Sequence, residues 1–326
     1  MTDIESRPVS PDDGDSRLDR WLRRYHPGLS QGVIQKLCRT GQIRVDGKRV
    51  EASTRVVPGQ VVRVPPIQPG TTGAATRSSP TDPRDARDLQ ERVLYRDDQV
   101  LVLDKPFGLA VQGGPGIARN LDGMLDALAF DAPERPKLVH RLDRDTTGVL
   151  VLARTQAAAS FLAAAFRGRE AIKLYLAICI GRLTPLQGEI NAPLAKRPGL
   201  RGERVVVAAH GDSDAARALT TWRTLDSAGR RATLAELSPH TGRTHQLRVH
   251  CAALGCPILG DAKYGGADAV WEGFPTKLHL HAHAIRIPHP SGGILDAAAP
   301  LPPHLASSFK ALGFAPPTVS PPRHHR

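Results

Sequence analysis

The chain has 326 residues, 40% apolar and 23% charged, which is room for two domains with buried cores and excludes a disordered or fibrous chain. A formal net charge of +12 points to a polyanionic partner, with a basic solubility bias as the alternative. Four irregularly spaced cysteines (Cys38, Cys179, Cys251, Cys256) exclude a disulfide scaffold, and no apolar run approaches membrane-spanning length.

The start, "MTDIESRPVSPDDGDS", is acidic and polar, without the apolar stretch of a secretory signal or the Arg-rich pattern of a transit peptide. Residues 1–15 are expected to be disordered, and the protein to be a cytoplasmic monomer with no membrane association. Ser16 is placed to cap a helix with Leu18, Trp21, Leu22 and Tyr25 on one face, ended by Pro27. Ser30 is placed to cap a second helix with Val33, Ile34 and Leu37 inward and Gly41 as its stop. "IRVDGKRV" then reads as a hairpin around Asp46-Gly47, and "QVVRVPP" as a further strand. Between Ser16 and Val50, nine Lys and Arg residues face two acids, a local charge of +7 that suits RNA phosphates or simply solvated helix faces. Residues 16–66 resemble the S4 RNA-binding domain, in helix–helix–hairpin order and in the text "SRLDRWL…LSQGVIQKLCRTGQIRVDGKRV". That resemblance implies a small α/β module touching structured RNA through its second helix and hairpin. Its candidate RNA-binding residues are Arg20, Arg24, Lys36, Arg39, Arg44 and Lys48.

Residues 67–88 are rich in Pro, Gly, Ser and Thr and read as a flexible linker. A second domain is expected over 89–312. Its strand-like runs "VLVLAR", "KLYLAICIG", "RATLAELSP" and "LHLHAHAIRI" are interrupted by helical patterns such as "TQAAASFLAAAFRG". Many strands with few helices predict an α+β domain with a mainly antiparallel sheet. Residues 313–326 are expected to be a disordered tail.

His245, His250, Cys251 and Cys256 cluster in sequence, and His279, His281 and His283 alternate along one strand, but neither set has the paired spacing of a zinc site, so no metal is assigned. "VQGGPGIARN" lacks the Lys-Ser/Thr of a phosphate-binding loop and reads as a turn-rich segment. Asp143 and Asp145 are too close in sequence for the facing carboxylates of a glycosidase. What remains is a single carboxylate, Asp143, ending "VHRLD" just before an apolar strand, with Arg243 and Arg248 of "TGRTHQLRVH" as candidate cation partners. By spacing alone, a structural Arg–Asp pair is as good a reading as a catalytic one.

"VHRLDRDTTGVLVLAR", "KLYLAICIG", "TGRTHQLRVHCAALGCPILGDAKYG" and "LHLHAHAIRIPHP" follow one another in the order found in the RluA family of RNA pseudouridine synthases. The resemblance runs from about Arg92 to Leu312; the S4-like module in front is the arrangement of the RluC and RluD branches, and "VLYRDDQVLVLDKPFGLAVQGGPG" with "HRLDRDTTGVL" looks most like the RluC branch. It implies a mainly antiparallel mixed-sheet catalytic domain that isomerises uridine without a cofactor. The C1′–N1 bond breaks, the uracil turns, and it rejoins through C5. The family's catalytic aspartate falls on Asp143, which attacks C1′ or C6 or assists a glycal intermediate. Its tyrosine falls on Tyr175, stacking on the base and helping remove the C5 proton. Its arginine falls on Arg248, paired with Asp143. Arg141 matches the residue that fills the gap left by the flipped base, with His140 and Leu142 in the same loop and Arg243 and His245 as further RNA contacts. Asp145 has no family role and reads as a turn or helix-cap carboxylate. The resemblance also implies 23S ribosomal RNA or a large-subunit assembly intermediate as partner. The alternatives are a transfer RNA or dual-specificity synthase, and a non-catalytic RNA-binding assembly factor, against which the intact Asp143, Tyr175 and Arg248 argue.

Overall fold

The computed structural model describes residues 4–13, 15–26, 29, 31–66, 82–114, 117, 119–199 and 202–317. The chain divides into two compact units, Met1–Pro80 and Thr81–Arg326.

The first unit runs β1 (Glu5–Pro8), β2 (Ser16–Arg17), α1 (Leu18–Tyr25), α2 (Gln31–Arg39), β3 (Arg44–Val45), β4 (Lys48–Arg49), β5 (Arg55–Val56) and β6 (Val61–Val64). Leu18, Trp21 and Leu22 of α1 and Ile34 of α2 bury into one core with Val56, Val62 and Val64, and Tyr25, Val33 and Leu37 pack at its margin. The helical faces are therefore those the 3.6-residue period predicts. Gly41 (φ +70°) follows the end of α2, its N–H bonded to the Cys38 carbonyl. Asp46 and Gly47 both take positive φ (+49° and +75°), the turn that a two-residue hairpin requires.

Two expectations fail at the amino terminus. Residues 1–15 are not wholly disordered: β1 pairs antiparallel with β6, and the four-stranded order is β1-β6-β3-β4. Asp13 is buried, and its carboxylate accepts from Ser10 Oγ, Arg24 Nη1 and the Tyr25 hydroxyl, latching the segment onto α1. Nor does Ser16 cap α1. It lies in β2, which pairs with β5, and its hydroxyl donates to the Asp13 carbonyl. Pro27 and Ser30 lie outside the described residues.

The second unit opens with α3 (Pro83–Glu91), whose first turn is capped by Asp82 accepting from Arg84 N at 2.9 Å. The expected linker 67–88 is thus folded from Asp82, while 67–81 lie outside the described residues. There follow β7 (Val93–Arg96), β8 (Val100–Lys105), β9 (Lys137–Leu138), β10 (Thr147–Ala153), α4 (Gln156–Gly168), β11 (Ile172–Ile180), β12 (Gln187–Asn191), β13 (Leu194–Gly199), β14 (Gly202–Val207), β15 (Leu219–Ala228), β16 (Ala232–Pro239), α5 (Gln246–Ala253), β17 (Leu280–Pro288), β18 (Ile294–Ala298) and α6 (Pro303–Leu312). The described chain continues beyond α6: Gly313 (φ +74°) turns it and Phe314 buries against Phe309, so the expected disorder over 313–326 does not hold at its start, and 318–326 lie outside the described residues.

Ten strands form one sheet in the order β12-β15-β16-β11-β17-β10-β8-β7, with β18 on β17 and β9 on β10. Its pairings are antiparallel except β10 with β17. The central strands read as unbroken apolar runs because both faces are covered. Val100 and Val102 of β8 and Val149, Val151 and Ala153 of β10 meet α4 on one face. Leu101, Leu103, Leu150 and Leu152 alternate to the other. The parallel contact is made at Thr147 and Gly148, opposite His281 and Ala282, and Ala282 also faces Tyr175 of β11. Gly148 permits this approach, since at φ +105° a Cβ there would lie 2.2 Å from the Ala282 carbonyl oxygen. The start of β10, and the charged loop before it, is thereby held beside Tyr175.

Candidate active site

The loop 139–146 between β9 and β10 carries Asp143, and buried groups fix it at several points. Leu142 is a core anchor packed with Leu103 and Leu150. The Val151 N–H donates to His140 Nε2 at 2.8 Å, and the His140 ring stacks on Phe166 at 4.4 Å. Burial, helped by the charge of Lys173, pulls the His140 pKa down to about 3, so the ring is neutral and Nε2 is free to accept. Lys105 at the end of β8 is fully buried, and its Nζ donates to the carbonyls of Pro106, Leu109 and Arg144, each at 2.9 Å. Burial lowers its pKa to about 7 against the pull of Asp145, Asp143 and Asp104, but three carbonyl acceptors take all three ammonium protons and favour the charged form. The Arg144 carbonyl also accepts from Gly108 N, so the backbone next to Asp143 is pinned twice. Asp145 pairs with the neighbouring Arg144 within the turn at 3.0 Å and caps no helix.

Asp143 lines a cavity of about 620 Å³ with Tyr175, Arg248 and the loop 238–244. It is the single carboxylate in that wall, and it makes no side-chain hydrogen bond or ion pair among the described residues. Tyr175 borders the same space and packs between two core clusters. Burial, and then the Asp143 charge, push its pKa upward, so it stands as a phenol and not as a phenolate base.

Arg248 departs from expectation. Its guanidinium forks onto Asp261, Nε to Oδ2 at 2.8 Å and Nη2 to Oδ1 at 2.7 Å, and both side chains are buried. Burial opposes the charge on Arg248, but Asp261 and then Asp143 outweigh it and raise its pKa. Asp143 therefore meets Arg248 through space, not through the expected pair. Asp261 is in turn held by backbone N–H groups of Lys263 and Tyr264. Asp261 lies within the matched "TGRTHQLRVHCAALGCPILGDAKYG" text, but nothing in its spacing marks it as the partner. Tyr264 joins this network. Its hydroxyl shares a 2.7 Å hydrogen bond with His245 Nδ1, and its ring lies 5.1 Å from the Arg248 guanidinium and 5.3 Å from that of Arg204 on β14.

Gln246 organises the approach to α5. Its carbonyl accepts from Thr241 Oγ1 and Arg243 N, and its amide donates to the Leu219 carbonyl and Thr220 Oγ1. His245 takes φ +53° at the start of the helix, and Arg243, exposed at the cavity, bonds the Arg217 carbonyl. Arg141 is exposed at the cavity and has no partner among the described residues. The cavity thus gathers Asp143, Tyr175, Arg248, Arg141 and Arg243. His140 and Leu142 border it mainly as supports of the loop.

Three of the histidines considered as metal ligands are held in internal hydrogen bonds. His279 bonds the Leu259 carbonyl and Ser308 Oγ, His281 bonds Thr147 Oγ1, and His250 bonds Thr220 Oγ1 and the Ala192 carbonyl. In the first unit, Arg20, Lys36, Arg39 and Lys48 are exposed with no partner among the described residues. Arg24 is committed to Asp13, and Arg44 donates to the Gly41 and Gly47 carbonyls, bracing the hairpin.

Residues 99–253 match the family described as RNA pseudouridylate synthase, and residues 16–62 match the S4 domain. A ribosomal large subunit pseudouridine synthase C of Pasteurella multocida is 34% identical, covering 95% of this chain and 94% of its own. RNA pseudouridine synthase 4, mitochondrial, of Arabidopsis thaliana is 35% identical over 96% of this chain and 82% of its own. Among solved structures, human RNA pseudouridylate synthase domain containing 4 aligns at a TM-score of 0.60 with 30% identity, over 72% of this chain and 97% of that one.

Proposed function

The chain belongs to the RNA pseudouridine synthase family, and from that premise we propose that it isomerises uridines of 23S ribosomal RNA with Asp143 as the acting carboxylate. The observation that carries the residue assignment is the isolation of Asp143: one carboxylate in a cationic cavity, unpartnered among the described residues, beside a backbone carbonyl pinned twice. Enzymes aim such preorganised groups at the reacting atom, because nothing need rearrange when charge develops.

In this reading a uridine flipped from the RNA enters with its sugar at Asp143 and its base on Tyr175. The Asp143 oxygen acts as the C1′–N1 bond opens, the uracil turns, a C5–C1′ bond forms, and the C5 proton leaves while N1 regains one. Arg248 supplies positive charge beside the carboxylate and is itself held by Asp261. Arg141, exposed at the mouth, fills the space the base vacates. The S4 unit adds affinity for structured RNA through its exposed cations. The large-subunit assignment rests on the names of relatives that this chain matches over nearly its whole length. Naked ribosomal RNA or an assembling particle, met by a monomer, is the partner that fits it.

Mapping pseudouridines in RNA from cells lacking the protein tests this directly. Loss of specific large-subunit pseudouridines, restored by the wild-type gene and not by Asp143→Ala, is the expected result. An unchanged ribosomal map with losses in transfer RNA would move the substrate; restoration by Asp143→Ala would remove the site assignment.

A further inference from the structure

Cations around the cavity fall into two kinds. Of those sunk in its wall, Arg248 is matched by Asp261, whereas Lys173 on β11 has no hydrogen bond or ion pair among the described residues. Lys173 stands two residues before Tyr175 on β11, and both residues line the cavity, with a register shift against β17 between Leu174 and Tyr175. Burial alone lowers the pKa of the amine, with no acid set against it, and its charge is felt by the neutral ring of His140. Holding an unpaired ammonium half out of water costs free energy unless an anion arrives. At the rim beside it stand Arg167 and Arg169, at the carboxyl end of α4, exposed and also without partners among the described residues.

We propose that Lys173, with Arg167 and Arg169 at the rim, forms a subsite for an RNA phosphodiester adjoining the target uridine. The proposal rests on the uridine-isomerase reading, since the base on Tyr175 brings the backbone anion to Lys173. Arg167 and Arg169 hold the strand at the surface, and Lys173 fixes one phosphate at depth, setting how far the nucleotide enters. The carboxyl end of α4 favours cations at this position. Lys173 is a binding and positioning residue here; it takes no part in bond making.

The test uses the full chain and a hairpin of large-subunit RNA carrying one mapped uridine. Lys173→Met is expected to raise KM about tenfold with kcat within about threefold, and Lys173→Arg to restore KM. The slope of log KM against log salt should fall by about one for Lys173→Met. On an Asp143→Asn background, where the RNA stays unmodified, the dissociation constant should rise by the same factor. A neutral methylphosphonate, scanned through the linkages around the uridine, should weaken binding to Lys173 at one linkage and add nothing once Lys173 is Met. An unchanged dissociation constant, a methylphosphonate effect equal in both proteins, or a loss confined to kcat overturns the subsite. A wild-type enzyme that forms no pseudouridine in any RNA overturns the parent reading instead, while the binding arm still decides the subsite. Lys173→Arg, which keeps the charge, separates a phosphate contact from a folding defect in Lys173→Met.

Discussion

The catalytic cavity and the S4 unit are both rich in cations, yet they use them in opposite ways. Around Asp143 two buried charges are committed, Lys105 to three carbonyls and Arg248 to Asp261, and Lys173 stands apart from them as the proposed phosphate contact. On the S4 unit, Arg20, Lys36, Arg39 and Lys48 stand exposed and uncommitted among the described residues. Burial turns a charge into a geometric constraint that salt barely screens; exposure turns it into affinity that salt removes. Substitutions of the committed cavity charges should therefore change rate and stability, and substitutions on the S4 surface should change salt-dependent binding alone.

The sharpest break of that contrast is at Asp143. Asp143→Asn keeps the shape of the side chain and removes the charge, so turnover should fall at least about 10³-fold, with RNA affinity within a few-fold. Single-turnover assays beside filter binding separate the two, and an affinity loss as large as the rate loss would sink the assignment. Next is Asp261, where the effect is first on folding. Asp261→Asn leaves the Arg248 guanidinium buried without its counter-charge, a destabilisation of about 3–5 kcal/mol by denaturant titration. Replacing both partners by apolar groups, Arg248→Met with Asp261→Leu, should recover most of that stability and none of the turnover. Recovery of turnover would show that Arg248 serves only the fold.

These two residues also mark where the sequence could be read and where it could not. The central strands were legible because burial on both faces writes an unbroken apolar run, and α1 and α2 because their apolar positions keep the helical period. The Asp143 loop was legible through its motif, and its company with Tyr175 follows from a glycine that lets β10 approach β17. The partner of Arg248 was not, since Asp143 and Asp261 are both acids in matched motifs and only the folded chain shows which one the guanidinium reaches. β1 was missed because "ESRP" has no apolar residue: it is an edge strand held by backbone bonds, and Asp13 secures it from the side. Lys105 reads in sequence as an ordinary charged strand end and turns out to be fully buried. Ionisable residues that work through backbone carbonyls leave no pattern in composition or period.

A smaller effect follows from the buried histidines. Burial pulls His279 down to about 4 and His281 to about 3, against an ordinary value of 6.5. Between those values the unfolded chain holds protons that the folded chain does not, so stability rises with pH through this window and is lost as pH falls from 6.5 towards 4. Each such histidine contributes about 1.4 kcal/mol per pH unit within its window. Urea midpoints measured from pH 7 to pH 4.5 should fall accordingly, and His281→Gln should make the fall shallower. A flat midpoint would mean that these rings already carry protons in the folded protein.

The smallest effect is expected at the S4 surface, and it bears most directly on the contrast between the two units. Arg39→Gln with Lys48→Gln removes two exposed cations from α2 and the hairpin, where no internal bond is lost among the described residues. Stability should stay within about 0.5 kcal/mol. Affinity for large-subunit RNA should weaken several-fold at low salt, and the slope of log affinity against log salt should fall by about two. At saturating RNA the rate should be unchanged, because these charges dock the substrate and do not shape the cavity. Arg24→Gln provides the counterpart on the same unit: its charge is engaged by Asp13, so it should cost folding stability and leave the salt slope nearly untouched. Equal salt slopes for the double variant and the wild type would place the RNA on another face of the S4 unit. A slope change without a rate change keeps the division between charge used for docking and charge used for geometry.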